Sequence, residues 1–160
     1  MQVALVMGSI SDWPHVKATA QLLDQLHVSY SKRVISAHRM PKQLQSFGSK
    51  AKSEHYQLII AAAGGAAHLP GMLAANTPLP VIGVPVQTKA LGGMDSLLSM
   101  VQMPSGIPVA TVAIGNAGAK NAALLAAQII GLHDSDVEKQ LINYRQNQTK
   151  EAIKSNENLK

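Results

Sequence analysis

Five short strand-like runs, all apolar except the second, which alternates, are interleaved with stretches of helical spacing, and this pattern limits the possible folds more than any other feature of the chain. The runs cover residues 2–7, 29–35, 57–63, 80–85 and 108–113. Each has the length of a strand rather than of a core helix. The first intervening helix is expected over residues 12–27. Ser11 or Asp12 can cap it, Pro14 suits its first turn, and Val16, Ala20, Leu23 and Leu26 follow helical spacing. Further helices are expected at 41–54 and 70–76, opened by Pro41 and Pro70, and at 92–102 and 117–131. A last amphipathic helix, 134–154, follows the cap Asp134-Ser135-Asp136. Strands that alternate with helices build a parallel sheet covered on both faces, and right-handed crossovers make it a doubly wound three-layer α/β sandwich. Such sheets bind ligands outside the carboxyl ends of their strands. Function is therefore to be sought just after residues 7, 35, 63, 85 and 113.

Charge narrows the partners. The 160 residues suit one domain with a single core. We divide them into a body, 1–133, and a C-terminal amphipathic helix with a polar tail, 134–160. The net charge is +5, and all of the excess lies on the body: residues 1–133 carry nine Lys/Arg against four Asp/Glu, whereas 134–160 carry five of each. A basic body favours anionic ligands. Nucleic acid is not expected, because no Lys/Arg run or basic-aromatic alternation is present. No apolar stretch reaches the ~18 residues of a membrane span. The N-terminus lacks the pattern of a signal peptide, so the cytoplasm is the expected location. Cysteine is absent, which excludes disulfides and thiolate metal sites. No His-x-x-x-His pair or acidic cluster points to a metal.

Three strand ends carry candidate chemistry. Met7-Gly8-Ser9-Ile10-Ser11-Asp12 offers hydroxyls and free amides at a helix entry, suited to an anion or a sugar. The same residues also make an ordinary capped turn. Ser36-Ala37-His38-Arg39-Met40-Pro41 sets a proton carrier beside a guanidinium fork that matches phosphate. A merely solvated polar loop would read the same way. In Ala63-Gly64-Gly65-Ala66-Ala67-His68-Leu69-Pro70-Gly71, small residues let the backbone approach a ligand, and His68 is the one imidazole. A satisfied core histidine is the plain alternative. Each plain reading stands alone; all three together at one sheet end are harder to hold. His15, His27, His55 and His133 fall on helices or at their ends and are read as solvated. Gly115-Asn116-Ala117-Gly118 with Lys120 misses the P-loop spacing and is read as a helix entry.

From residue 55 to 119 only Lys89 and Asp95 are charged. So much uncharged surface is more than one small domain can hide, and a symmetric interface between copies accounts for it. Met94, Met100 and Met103 suit adaptable packing there. The terminal helix is expected to reach a neighbouring subunit.

The three strand-end motifs resemble those of the N5-carboxyaminoimidazole ribonucleotide mutases, the bacterial type of the purine-pathway aminoimidazole ribonucleotide carboxylases. Val84-Pro85-Val86-Gln87, Asp95-Ser96-Leu97, Val101-Gln102-Met103-Pro104, Gly106-Ile107-Pro108-Val109 and Asn121-Ala122-Ala123-Leu124-Leu125-Ala126-Ala127 extend the likeness over residues 3–133. Ala62 departs from it, standing where glycine is common, and Thr88-Lys89 and Ser105 lie in variable stretches. The resemblance implies a flavodoxin-like sandwich with a five-stranded parallel sheet and an extra C-terminal helix, assembled as a homo-octamer. It implies a ribonucleotide substrate bound by Ser9, Asp12 and Arg39, with Ser11 and Ser36 helping at the phosphate. His38 becomes the acid–base residue, and His68 belongs to the loop that closes on the base. The implied reaction needs no cofactor. It leaves room for hand-over of an unstable carbamate from the synthetase that makes it. Direct carboxylation by CO₂ is the runner-up, and the Ala-Ala-His-Leu-Pro run around His68 favours the mutase. A non-catalytic phosphate or flavin binder is the reading from another class, and the scarcity of aromatics argues against flavin.

Overall fold

The computed structural model describes residues 2–159. Five parallel strands form one sheet: β1 (Val3–Met7), β2 (Tyr30–Val34), β3 (Leu58–Ala63), β4 (Val81–Pro85) and β5 (Ala110–Thr111). Six helices among the described residues cover it: α1 (Trp13–Gln25), α2 (Pro41–Lys50), α3 (Leu69–Ala74), α4 (Met94–Val101), α5 (Asn116–Gly131) and α6 (Ser135–Ser155). Single 3₁₀ turns occupy Ile10–Asp12 and Asn156–Asn158. The strand order β2-β1-β3-β4-β5 is that of flavodoxin-like sheets, with the topological switch between β1 and β3.

Side-chain alternation builds the layers. Val3, Leu5 and Met7 of β1, with Leu58 and Ile60 of β3, face a core shared with α1 and α5. Ala4, Val6, Ile59 and Ala61 face the opposite core, shared with α2, α3 and Met100 of α4. Ala119, Ala122, Ala123, Ala126 and Ala127 are all buried, so α5 lies close against its neighbours. Thr19 fixes that approach by donating from Oγ1 to the Ala119 carbonyl at 2.7 Å. Val137 and Leu141 of α6 join the same core, while Ile142 and Ile153 farther along the helix remain exposed. No helix among the described residues is long and apolar enough to cross a membrane.

Boundaries differ from the sequence pattern where a local group stops the ladder. The fifth strand was expected over 108–113 and is only Ala110–Thr111. Its neighbour β4 ends on Pro85, which has no N–H to carry the ladder further. The first two helices stop at Gln25 and Lys50, short of the expected 27 and 54. Both are followed by a histidine in the left-handed region, His27 at φ 58° and His55 at φ 65°. Val28 and Tyr56 then bond back to the Leu23 and Ala51 carbonyls at 2.9 and 3.1 Å, which closes the helix ends. His27 is also less free than a solvated ring, since its Nδ1 lies 2.9 Å from the Asp136 carboxylate. That contact holds the Asp136 carboxyl below its usual range.

Gly118 explains the segment that resembles a phosphate loop. A Cβ there would run into the Ala113 carbonyl, so the glycine lets the first turn of α5 rest on the chain leaving β5. The requirement is steric and local.

Candidate active site

Ser9, Ser11, Asp12, Ser36, His38, Arg39 and His68 line one cavity of about 580 Å³ at the carboxyl ends of the strands. The loops after β1, β2 and β3 supply these residues, and the loop after β4 adds Val86, Gln87 and Thr88. The cavity sits where the chain order reverses, so loops from both halves of the sheet converge on it. Among the described residues, none after β5 lines it.

The first loop is shaped by reciprocal capping. The Ser9 N–H donates to Asp12 Oδ2 at 2.9 Å, and Ser9 Oγ accepts from the Ser11 N–H at 3.3 Å. Ser11 Oγ is 2.9 Å from Ser9 Oγ and donates to it. The two hydroxyls and a carboxylate are thus held at the head of the helical stretch that begins at Ile10, on the cavity wall. Asp12 is only 7% exposed. Burial pushes its carboxyl above the usual range, against the opposing pull of the Ser9 N–H, the nearby His15 and the Gly8 N–H. A carboxylate kept half-desolvated beside a cavity retains lone pairs for ligand hydroxyls.

The sign of that shift gives a stability prediction. Below the ordinary carboxyl range Asp12 is protonated in folded and unfolded chains alike and contributes nothing. As pH rises, the unfolded chain ionises first, so the folded state loses stability as pH rises through the elevated folded value. Asp12→Asn should therefore raise the melting temperature near pH 7, and the gain should vanish below about pH 3.5. Thermal melts at the two pH values check this; a loss of stability at neutral pH would contradict it.

In the second loop, Arg39 Nε donates to the buried Ser36 Oγ at 3.0 Å. This anchors the guanidinium while leaving its outer N–H groups for an anion. His38 is exposed to the cavity. Its Nε2 lies 2.8 Å from Nδ1 of His68, with the rings edge to face at 80°. One proton lies between those two nitrogens, so one ring donates and the other accepts. The apolar part of the wall is small: Ala63, Gly64, Gly65 and Ala66, with Leu69 and Val86 beside them.

Three wall residues carry no signal in the sequence that separates them from structure. His15, which its helical position predicts to be solvated, is half-buried on the wall. It follows Asp12 by three residues, the spacing that puts both on one face of a helix. Gln87 is marked only as the end of the family-like run Val84-Pro85-Val86-Gln87, and Thr88 only by following β4.

Comparison with known proteins identifies the family. The family model described as AIR carboxylase matches residues 2–151. The chain is 57% identical to the N5-carboxyaminoimidazole ribonucleotide mutase of Vibrio parahaemolyticus over 158 residues, covering 99% of this chain and 98% of that one. It is 54% identical to the enzyme of that name from Bacillus subtilis, covering 98% and 97%. Among solved structures, Treponema denticola PurE superposes with a TM-score of 0.89 at 30% identity, covering 99% of this chain and 98% of that one.

Proposed function

The chain belongs to the AIR carboxylase family, and from that premise we propose that it is an N5-carboxyaminoimidazole ribonucleotide mutase whose proton carrier is His38. The reaction moves a carboxylate from the exocyclic nitrogen of the substrate to carbon 4 of its imidazole. The supporting observation is the His38–His68 contact of 2.8 Å, set in a cavity whose other walls hold Arg39, Asp12 and three serines.

The proton balance suits one acid–base group. Breaking the nitrogen–carboxylate bond releases CO₂ and requires a proton on the exocyclic nitrogen. Carbon 4 then attacks CO₂, a carbon–carbon bond forms, and carbon 4 gives up its proton. The imidazolium of His38 gives the first proton and the imidazole takes the second, so the ring ends the cycle as it began. Its hydrogen bond to His68 orients it for both steps. CO₂ must stay beside carbon 4 between them, and the small residues Ala63, Gly64, Gly65 and Ala66 of the same cavity wall leave room for it there.

The remaining residues bind groups remote from the reaction. Arg39, fixed by Ser36, takes the phosphate with help from Ser11. Ser9 and Asp12 take the ribose side of the nucleotide. This binding energy orients the base over His38. The decisive assay supplies the carbamate without ATP and follows the ring-carboxylated product. Rapid product formation is expected. Turnover confined to aminoimidazole ribonucleotide plus bicarbonate would make the enzyme a direct carboxylase instead.

We further place the protein in the cytoplasm, which cell fractionation checks, and read it as a homo-octamer. The exposed apolar residues of α4, together with the outer part of α6, are the surfaces that such an assembly would cover.

A further inference from the structure

The segment Gly64-Gly65-Ala66-Ala67 leads from β3 to His68, and its shape decides where the His68 ring meets His38. Gly65 has φ +69°, and a side chain built there would find nothing within 4 Å. Side-chain packing therefore does not hold this residue, and glycine has other backbone conformations open to it. Hydrogen bonds from α4 hold it instead. Ser96 is fully buried. Its Oγ accepts from the Gly65 N–H at 2.9 Å and donates to the Val86 carbonyl at 2.7 Å. One hydroxyl thus joins the loop after β3 to the loop after β4, and both loops line the cavity. Ser99, three residues along α4, shares its proton between the Gly65 and Asp95 carbonyls at 3.2 and 2.7 Å. The start of α4 is itself tied down: Thr88 Oγ1 donates to Asp95 Oδ1 at 2.8 Å and accepts from the Gly93 N–H at 3.1 Å.

We propose that Ser96 is a positioning residue for the reaction. It fixes the peptide plane of Gly65 and, through Ala66 and Ala67, the place of the His68 ring against His38. The inference rests on the assignment of His38 and His68 to the reacting end of the cavity. Without the hydroxyl, the Gly65 N–H and the Val86 carbonyl lose their shared partner, and the glycine peptide turns to find another. A displacement of about 1 Å at His68 is enough to lower the rate by up to about a hundredfold. The nucleotide-holding groups Ser9, Asp12 and Arg39 hang on other loops, so substrate binding is spared.

Ser96→Ala tests this when paired with Thr19→Val. Thr19 is as deeply buried and also donates to a backbone carbonyl, but neither it nor its partner Ala119 lines the cavity. Both variants should melt at lower temperature. Only Ser96→Ala should lower kcat, by roughly ten- to a hundredfold with KM within about twofold, and Thr19→Val should keep normal turnover. The imidazole resonances of His38 and His68 in the substrate-free protein should move in Ser96→Ala alone. If Ser96→Ala does not accumulate as folded protein, Ser96→Cys keeps a weak donor of similar size and should show the same changes in smaller measure. Unchanged imidazole resonances in a folded Ser96 variant would overturn the proposal, as would an equal loss of kcat in Thr19→Val. The spectrum reports on Ser96 even if the proton-carrier assignment fails, because that assignment is judged separately by turnover of a His38 variant.

Discussion

Replacing His38 by Asn is expected to lower turnover of the carbamate by about two to four orders of magnitude, with KM changed little. The ring is exposed to the cavity and takes no part in either core, so the fold should survive the change. Asn is polar and can still hydrogen-bond to His68, which keeps the wall of the cavity closed. What it cannot do is carry a proton to the exocyclic nitrogen and later remove one from carbon 4. The binding groups are untouched, so the loss should fall on kcat. His68 offers an internal control. It is 2.8 Å from His38 and shares a proton with it, so whatever turnover remains in His38→Asn measures how well His68 acts alone. Nearly unaltered turnover would mean that the proton carrier is another group, and His38→Asn with His68→Asn together would then locate it.

The parts of this picture that were legible in the sequence are those carried by short-range pattern. Four apolar runs and one alternating run predicted five strands, and the strand-end rule placed Ser9, Asp12, His38, Arg39 and His68 at one end of the sheet. The structure brings all of them to one cavity. Contacts between distant segments were not legible. His38 and His68 stand thirty residues apart, and no spacing states that their rings meet edge to face. The hold of Ser96 on Gly65 is of the same kind, since a serine in a helix looks like any solvated polar residue until its burial is known. Helix ends escape the sequence pattern for a different reason. His27 and His55 close α1 and α2 in a conformation usually left to glycine or asparagine, so no glycine marks the stop. The fifth strand was overestimated because its length depends on what its neighbour can offer, and Pro85 offers no N–H.

Leu98→Glu is expected to break the proposed homo-oligomer into much smaller species, seen as a large fall in mass by light scattering. Helix α4 has two unlike faces. The inner face is fully occupied: Ser96 and Met100 are buried, and Ser99 bonds to the Gly65 carbonyl. The outer face is apolar and open, with Met94, Leu98 and Val101 about half exposed and Leu91 beside them at 63%. Such residues on consecutive turns form a patch, and soluble monomers seldom keep one next to so long a stretch with few charges. A second copy of the chain is the occupant we infer, because a symmetric contact would bury the patch on both partners at once. A glutamate at its centre would be desolvated without a partner, costing roughly 2–5 kcal/mol per contact. Symmetry repeats that cost at every equivalent interface. The wild-type chain should therefore run far above its own 16.9 kDa, and a clean wild-type monomer would end this reading. An assembled Leu98→Glu protein would move the interface to another face. The same helix carries Ser96 on its inner side, so dissociation should also loosen the loop that ends at His68. Turnover per subunit in Leu98→Glu should then fall along with mass, which would make the quaternary contact part of what holds the active site in shape.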